Sequence, residues 1–277
     1  MSQEHAVEVA SGKRFEFGKN WQSFLQTVDE AKIADAERSL SKMLGVPSLE
    51  GKTFLDIGSG SGLFSLAARR LGAKVHSFDF DPNSVACTQE LRRRYFPDDR
   101  QWTVEQGSAL DRDFLAKLGK FDVVYSWGVL HHTGQMWRAL ENAGLMVAPN
   151  GLLFIAIYND EGKTSRRWTW VKQNYNRSKI MRGPLLAGSM VHLYWRRMVK
   201  DFITLHPFRS LRNYDNSSSG RGMNWWYDLV DWVGGYPFEV AKPEELFQFY
   251  HDRNFELIHM VTTRDLGCNE VVFRKKS

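Results

Sequence analysis

Short apolar runs alternate along this chain with stretches whose apolar residues recur at helical spacing. The first run, FLDI after Thr53, enters a glycine-rich turn and then the helical stretch LFSLAARRL. The same order repeats: KVHSFDF precedes PNSVACTQELRRRYF, WTVEQG precedes ALDRDFLAKL, FDVVYSW precedes the stretch from Gln135 to Val147, and GLLFIAIY closes the series. Strands alternating with helices predict an α/β fold, a doubly wound and mostly parallel sheet covered on both faces. Upstream, Trp21, Phe24, Leu25, Val28, Ile33, Ala36, Leu40 and Leu44 keep a helical period, which predicts a helix with a break capping the core.

The alternation stops at Tyr158 and resumes at Pro243, where PEELFQFYHDR reads as helix and FELIHMVTT and NEVVFRK as strands. The chain therefore divides into an N-terminal helical cap (1–50), a core (51–157), an aromatic and basic insertion (158–242), and a C-terminal helix with strands that rejoin the sheet (243–277). No internal repeat is present, and only SSSG at 217–220 has low complexity.

Composition alters this picture little. With 277 residues, 43% of them hydrophobic, a sizeable core is available and global disorder is excluded. The first eighteen residues lack the apolar stretch of a signal peptide, and no run of about 18 apolar residues offers a membrane span, so a cytoplasmic protein is expected. Cys87 and Cys268 lie far apart in sequence and read as reduced packing residues; no metal is predicted. Charge is more informative. From Lys163 to Arg212 twelve Lys or Arg face one acid, Asp201, a net +11 in a chain of +5, so the remainder is −6.

The turn LDIGSGSG places Gly58, Gly60 and Gly62, with Ser59 between, directly after a strand and before a helix, where the backbone can approach a ligand without Cβ clashes. Asp79 ends the next strand, where a carboxylate can accept hydrogen bonds from both ribose hydroxyls of an adenosine. That position suits NAD and S-adenosylmethionine equally. The GxGxG spacing and Asp56 at the strand end favour S-adenosylmethionine, since a carboxylate repels a pyrophosphate but can hold a methionine ammonium; Asp56 as a local turn cap is the alternative. Phe80 follows Asp79, and Asp81 reads as the cap of a helix starting at Pro82. Ser108 and Ala109 form a small-residue turn able to admit the adenine edge, and Trp127 ends the fourth strand beside the same crevice.

Taken in order, LDIGSGSG, the acid in FDFD, QGSAL and FDVVYSWGVLHHT resemble the motifs of class I, Rossmann-like S-adenosylmethionine-dependent methyltransferases, especially the ubiquinone and menaquinone biosynthesis type. The resemblance covers about residues 52–157, and 243–274 fits the family's last helix and antiparallel hairpin. It implies a seven-stranded sheet with a reversed last strand, and S-adenosyl-L-methionine bound by the glycine loop, Asp79, Ser108, Ala109 and residues near Trp127. The insertion departs from small family members, so the acceptor does not carry over.

Methyl transfer from a sulfonium needs alignment of the nucleophile and removal of its proton. His131 and His132 are the base candidates, although HHT can equally start the next helix with Thr133 as cap. Tyr158 and Asn159, at the end of the fifth strand, and Trp226 and Tyr236, in the insertion, are the candidate acceptor residues, with an aromatic core for the insertion as the alternative. The run PLLAGSMVHLYWRRMVKDFI (184–203) fits an interfacial amphipathic helix and a peripheral membrane contact, or a lid helix packed on the core. Arg166, Arg167, Trp168 and Trp170 could instead meet RNA. The expected function is methyl transfer, at oxygen, to a small or lipid-linked molecule; the alternatives are an RNA methyltransferase and a non-catalytic S-adenosylmethionine-binding module.

Overall fold

In the computed structural model, residues 2–18, 21, 25–203, 225–264 and 266–277 are described. A seven-stranded sheet organises them: β1 (Thr53–Ile57), β2 (Lys74–Asp79), β3 (Trp102–Gln106), β4 (Phe121–Trp127), β5 (Val147–Tyr158), β6 (Phe255–Val261) and β7 (Cys268–Lys275), in the order β3-β2-β1-β4-β5-β7-β6. β1 to β5 are parallel, and β7 runs antiparallel between β5 and β6, as the sequence predicts.

Both faces of the sheet are buried, which is why the central strands read as near-continuous apolar runs. After α1 (Ser2–Ala10), on one face of the sheet Phe54, Val75, Val123 and Phe154 pack under α2 (Glu30–Leu44), α3 (Leu63–Arg70) and α4 (Pro82–Tyr95). On the other, Leu55, Ile57, Val124 and Ile155 pack against α6 (Met136–Leu145) and α10 (Pro243–His251), with α5 (Arg112–Leu118) alongside. Of the helix expected from Trp21 to Leu44, Trp21 and Leu25 are helical, and after the expected break a second helix starts at Glu30, where Asp29 adopts extended backbone and its side chain accepts from Lys32 N. Asp81 caps α4 as expected, accepting from Asn83 N at 2.8 Å.

The insertion builds a third apolar cluster from α7 (Lys163–Arg177), α8 (Arg182–Ile203) and α9 (Trp225–Gly234), centred on Trp168, Tyr175, Tyr194, Leu229 and Val233. Its ends meet beside the sheet, where Asn159 bridges Ala241 and Ala241 N donates to the Tyr158 carbonyl at 3.0 Å. The sequence stretch 217–220 lies outside the described residues, as do Met223 and Asn224.

Strand order reverses between β1 and β4, and connections from these two strands leave in opposite directions. That divergence opens a crevice at their C-terminal ends, where α/β sheets bind ligands.

Candidate active site

The crevice holds a cavity of about 630 Å³. Its lining combines Gly58, Gly60, Asp79, Phe80, Ser108, Ala109 and Trp127 from the strand ends and their turns with His132, Tyr158, Leu193, Tyr194, Asp228, Asp231 and Trp232 from the 3₁₀ turn, the end of β5 and the insertion. Elements distant in sequence thus bring most of the residues singled out above to one space.

The glycine loop is shaped by backbone need. Gly58 has φ +78°, a region costly for a side-chain-bearing residue, and a Cβ there would lie 2.3 Å from Val129 Cγ1. Ser59 and Gly62 do not line the cavity. They hold the loop instead: Ser59 Oγ hydrogen-bonds Thr88 Oγ1 at 2.9 Å, and Gly62 packs on Thr88.

Asp79 accepts from Gly60 N and Asp81 N, both at 2.9 Å, so its carboxylate is fixed at the rim of the loop. Burial pushes its pKa up to about 6 against those hydrogen bonds. Asp56 corrects the sequence reading. It is buried and outside the cavity lining, with Oδ2 accepting from Ser65 Oγ at 2.5 Å; Ser65 in turn meets Ser77, which accepts from Trp102 Nε1. Burial raises its pKa to about 7. It braces strand against helix behind the loop, so no direct ammonium contact follows from its position.

The two histidines separate just as clearly. Both lie in the 3₁₀ turn Leu130–His132. His131 is fully buried outside the cavity lining; its Nδ1 accepts from Tyr158 N, and its ring packs on the Tyr158 ring at 4.0 Å. His132 lines the cavity, and its Nδ1 donates to the Pro237 carbonyl at 2.5 Å. A carbonyl only accepts, so in the neutral ring the Nε2 of His132 carries the lone pair. Thr133 does not cap α6: its Oγ1 donates to Leu130 O, while the helix's Met136 N donates to Glu239, 3.1 Å from each carboxylate oxygen.

Of the acceptor candidates, only Tyr158 lines the cavity. Asn159 is engaged at the insertion's base by Asn269 and Glu161, Trp226 is exposed, and Tyr236 accepts from Phe15 N through its carbonyl. Sequence reasoning missed His5, Arg14, Phe15, Phe17 and Trp21. These come from the N-terminal segment, which is pinned by Gly18 N donating to Asp81 Oδ2 and by Arg14, whose guanidinium covers the Phe80 ring at 4.8 Å and donates to His132 O. The stretch RFEFG carried a signal only in its alternating aromatics.

These features fit an adenosyl sulfonium ligand: a Cβ-free loop, a fixed carboxylate at the second strand end and a small-residue turn at the third. Comparisons agree. Residues 55–153 match a family described as "Methyltransferase domain". Ubiquinone biosynthesis O-methyltransferase from Azorhizobium caulinodans is 35% identical over 118 residues, 40% of this chain and 42% of that protein. The chain thus spans less than half the length of the curated relatives it matches. Among solved structures, magnesium protoporphyrin IX methyltransferase from Synechocystis PCC 6803 with bound SAH has a TM-score of 0.52 at 15% identity, covering 88% of this chain and 83% of that one. N-methyltransferase NodS from Bradyrhizobium japonicum WM9, in complex with S-adenosyl-l-homocysteine, has a TM-score of 0.53 at 14% identity, covering 95% of this chain and all of that one. Residues 55–153 thus match a methyltransferase-domain family, and the fold is one shared with S-adenosylmethionine-dependent methyltransferases of known structure.

Proposed function

We propose that the protein transfers a methyl group from S-adenosylmethionine to an oxygen of a small or lipid-linked acceptor. One observation carries this reading: a single cavity runs from the glycine loop and Asp79 to His132 and Tyr158. A binding module without catalysis would not need the second end.

The cofactor supplies a methyl already activated on a positively charged sulfur. Gly58 and Gly60 would give it a backbone cradle, Asp79 would hold its ribose, and Ser108 and Ala109 would border its base. What remains for the protein is to align the acceptor, exclude water and take a proton. His132 does the last through Nε2, its tautomer held by the Pro237 carbonyl. Tyr158 and Trp232 wall the acceptor end, and the insertion 158–242 acts as its lid. Oxygen is favoured because a neutral imidazole suits deprotonation of a hydroxyl, and because the sequence relatives act in ubiquinone biosynthesis as O-methyltransferases.

A peripheral membrane contact through 184–203 fits the exposed residues of α8, and no helix among the described residues is long and apolar enough to cross a membrane. RNA fits less well. Trp168, one of the rings proposed for base stacking, is buried inside the insertion's core, leaving Trp170 exposed. Incubation of the protein and methyl-labelled cofactor with a cell extract tests the reading. Label should enter the small-molecule or lipid fraction; label in RNA, or none above a Gly58→Val control, overturns it.

A further inference from the structure

Beside the active site, α7 and α8 enclose a second cavity of about 350 Å³, within the range of about 300–1,000 Å³ that small-molecule sites occupy. The two spaces are separate. Among the described residues none lines both, and Trp168, which lines the second, holds its ring 5.3 Å from that of Trp232, which lines the first. Helical spacing gives the groove its walls: Arg167, Trp168 and Val171 share one side of α7, and Leu185, Ser189 and His192 share one side of α8. Gly188 widens it, since a Cβ there would meet nothing within 4 Å.

The lining divides by chemistry. Trp168 is buried and Val171 and Leu185 are half-buried, so the floor is apolar. Arg167 and His192 are exposed at the mouth, with the His192 ring 6.1 Å from that of Trp168. The Arg167 guanidinium has no hydrogen bond or ion pair among the described residues, and no acid among them lines the groove. The two acids that precede α7 are engaged at its start: Asp160 accepts from Gly162 N at 2.8 Å, and Glu161 accepts from Asn159 Nδ2 at 2.5 Å. Ser189 is only 6% exposed, yet its hydroxyl also has no hydrogen bond among the described residues.

A buried hydroxyl without a partner needs one, an uncompensated guanidinium favours an anion, and an apolar floor favours hydrocarbon. Donors from Thr164, Arg167, Ser189 and His192 stand on two helices, an arrangement that suits the several oxygens of a phosphate. We propose that the groove binds an anionic amphiphile, a phosphate ester whose head meets Arg167, Ser189 and His192 and whose aliphatic chain lies over Trp168, Val171 and Leu185. Such a ligand is offered both by a membrane phospholipid and by a soluble phosphate ester.

Three probes test this by calorimetry on the full chain in excess S-adenosylhomocysteine: octyl phosphate, octanol and inorganic phosphate. Octyl phosphate should bind at least about tenfold tighter than either of the others, because only it engages head and floor together. Arg167→Gln should remove most of its margin over octanol. Gly188→Leu places a side chain in the groove from a helical position that tolerates one, and should abolish octyl phosphate binding. An unchanged melting profile reports that each variant folds, and neither residue lines the active-site cavity. Vesicles containing phosphatidic acid identify the source. Weaker vesicle binding by both variants supports the site as one for a bilayer lipid, and vesicle binding unchanged while octyl phosphate binding is lost supports it as one for a soluble ester. Equal binding of the three probes, no binding of octyl phosphate, or octyl phosphate binding that survives Gly188→Leu overturns the proposal.

Discussion

At the scale of single residues, identical side chains acquire different tasks from their surroundings. Asp79 ends its strand and Asp56 lies one residue inside the end of its own, and burial raises the pKa of both, yet only Asp79 lines the cavity. Its ordinary value of 3.8 rises to about 6, so the folded apo protein binds a proton that the unfolded chain releases, and stability from this group declines as pH climbs through that window. Ribose hydroxyls donate more strongly to the ionised form. Affinity for S-adenosylhomocysteine should therefore rise as pH increases through about 6, and Asp79→Asn should flatten that dependence and weaken binding by roughly ten- to a hundredfold near neutral pH, seen by calorimetry across pH. The histidines divide in the same way. His132→Ala should lower kcat by about 10²–10⁴ with cofactor affinity kept, whereas His131→Ala should lower the melting temperature first, because it removes a fully buried ring stacked on Tyr158. Sequence could not separate these neighbours. A 3₁₀ turn places consecutive side chains about a third of a revolution apart, and which one faces the crevice depends on Tyr158 and Pro237, far along the chain.

At the scale of elements, the core was legible because each strand and helix is fixed by local patterning. FLDI, FDVVYSW and GLLFIAIY had to be buried strands, and the glycine turn and Asp81 cap mark helix starts by rules that need only a few residues. What patterning hides is support from a distance. The start of α6 offered HHT as a local cap, but its Met136 N is satisfied by Glu239, more than a hundred residues away, whose own N donates to His131 O. Glu239→Ala should thus remove a helix cap and loosen the histidine turn together, with a stability loss of about 0.5–2 kcal/mol in chemical denaturation and a larger fractional loss in kcat than in cofactor affinity. The N-terminal roof over the cavity was illegible for the same reason. Phe15 and Phe17 have no periodicity to announce them, and their place is set by contacts with Tyr236 O and the His132 ring.

At the scale of the whole molecule, the insertion turns a shared core into a particular one, and α8 gives it two different faces. Inward, Ser189, Leu193 and Tyr194 meet the insertion's own core or the cavity. Outward, Val191, Trp195, Val199, Phe202 and Ile203 are exposed at intervals of three to four residues, where a solvated helix would carry polar side chains. This refines the sequence reading of 184–203: Leu193 faces inward, so Val191 and Trp195 are the residues placed to enter an interface. The surrounding window of net +11 adds attraction to an anionic surface. Binding to anionic liposomes should exceed binding to neutral ones and weaken as salt rises. Salt alone does not identify the partner, because phosphate contacts with RNA would weaken likewise. The combination Val191→Ser and Trp195→Ser resolves this, since it removes apolar insertion while leaving every basic residue in place. Liposome binding should fall and any RNA binding should persist, with cofactor affinity unchanged because neither side chain lines the cavity. If anionic liposomes are not bound even at low salt, the exposed stripe serves no lipid surface, and an acceptor delivered from solution becomes the favoured reading.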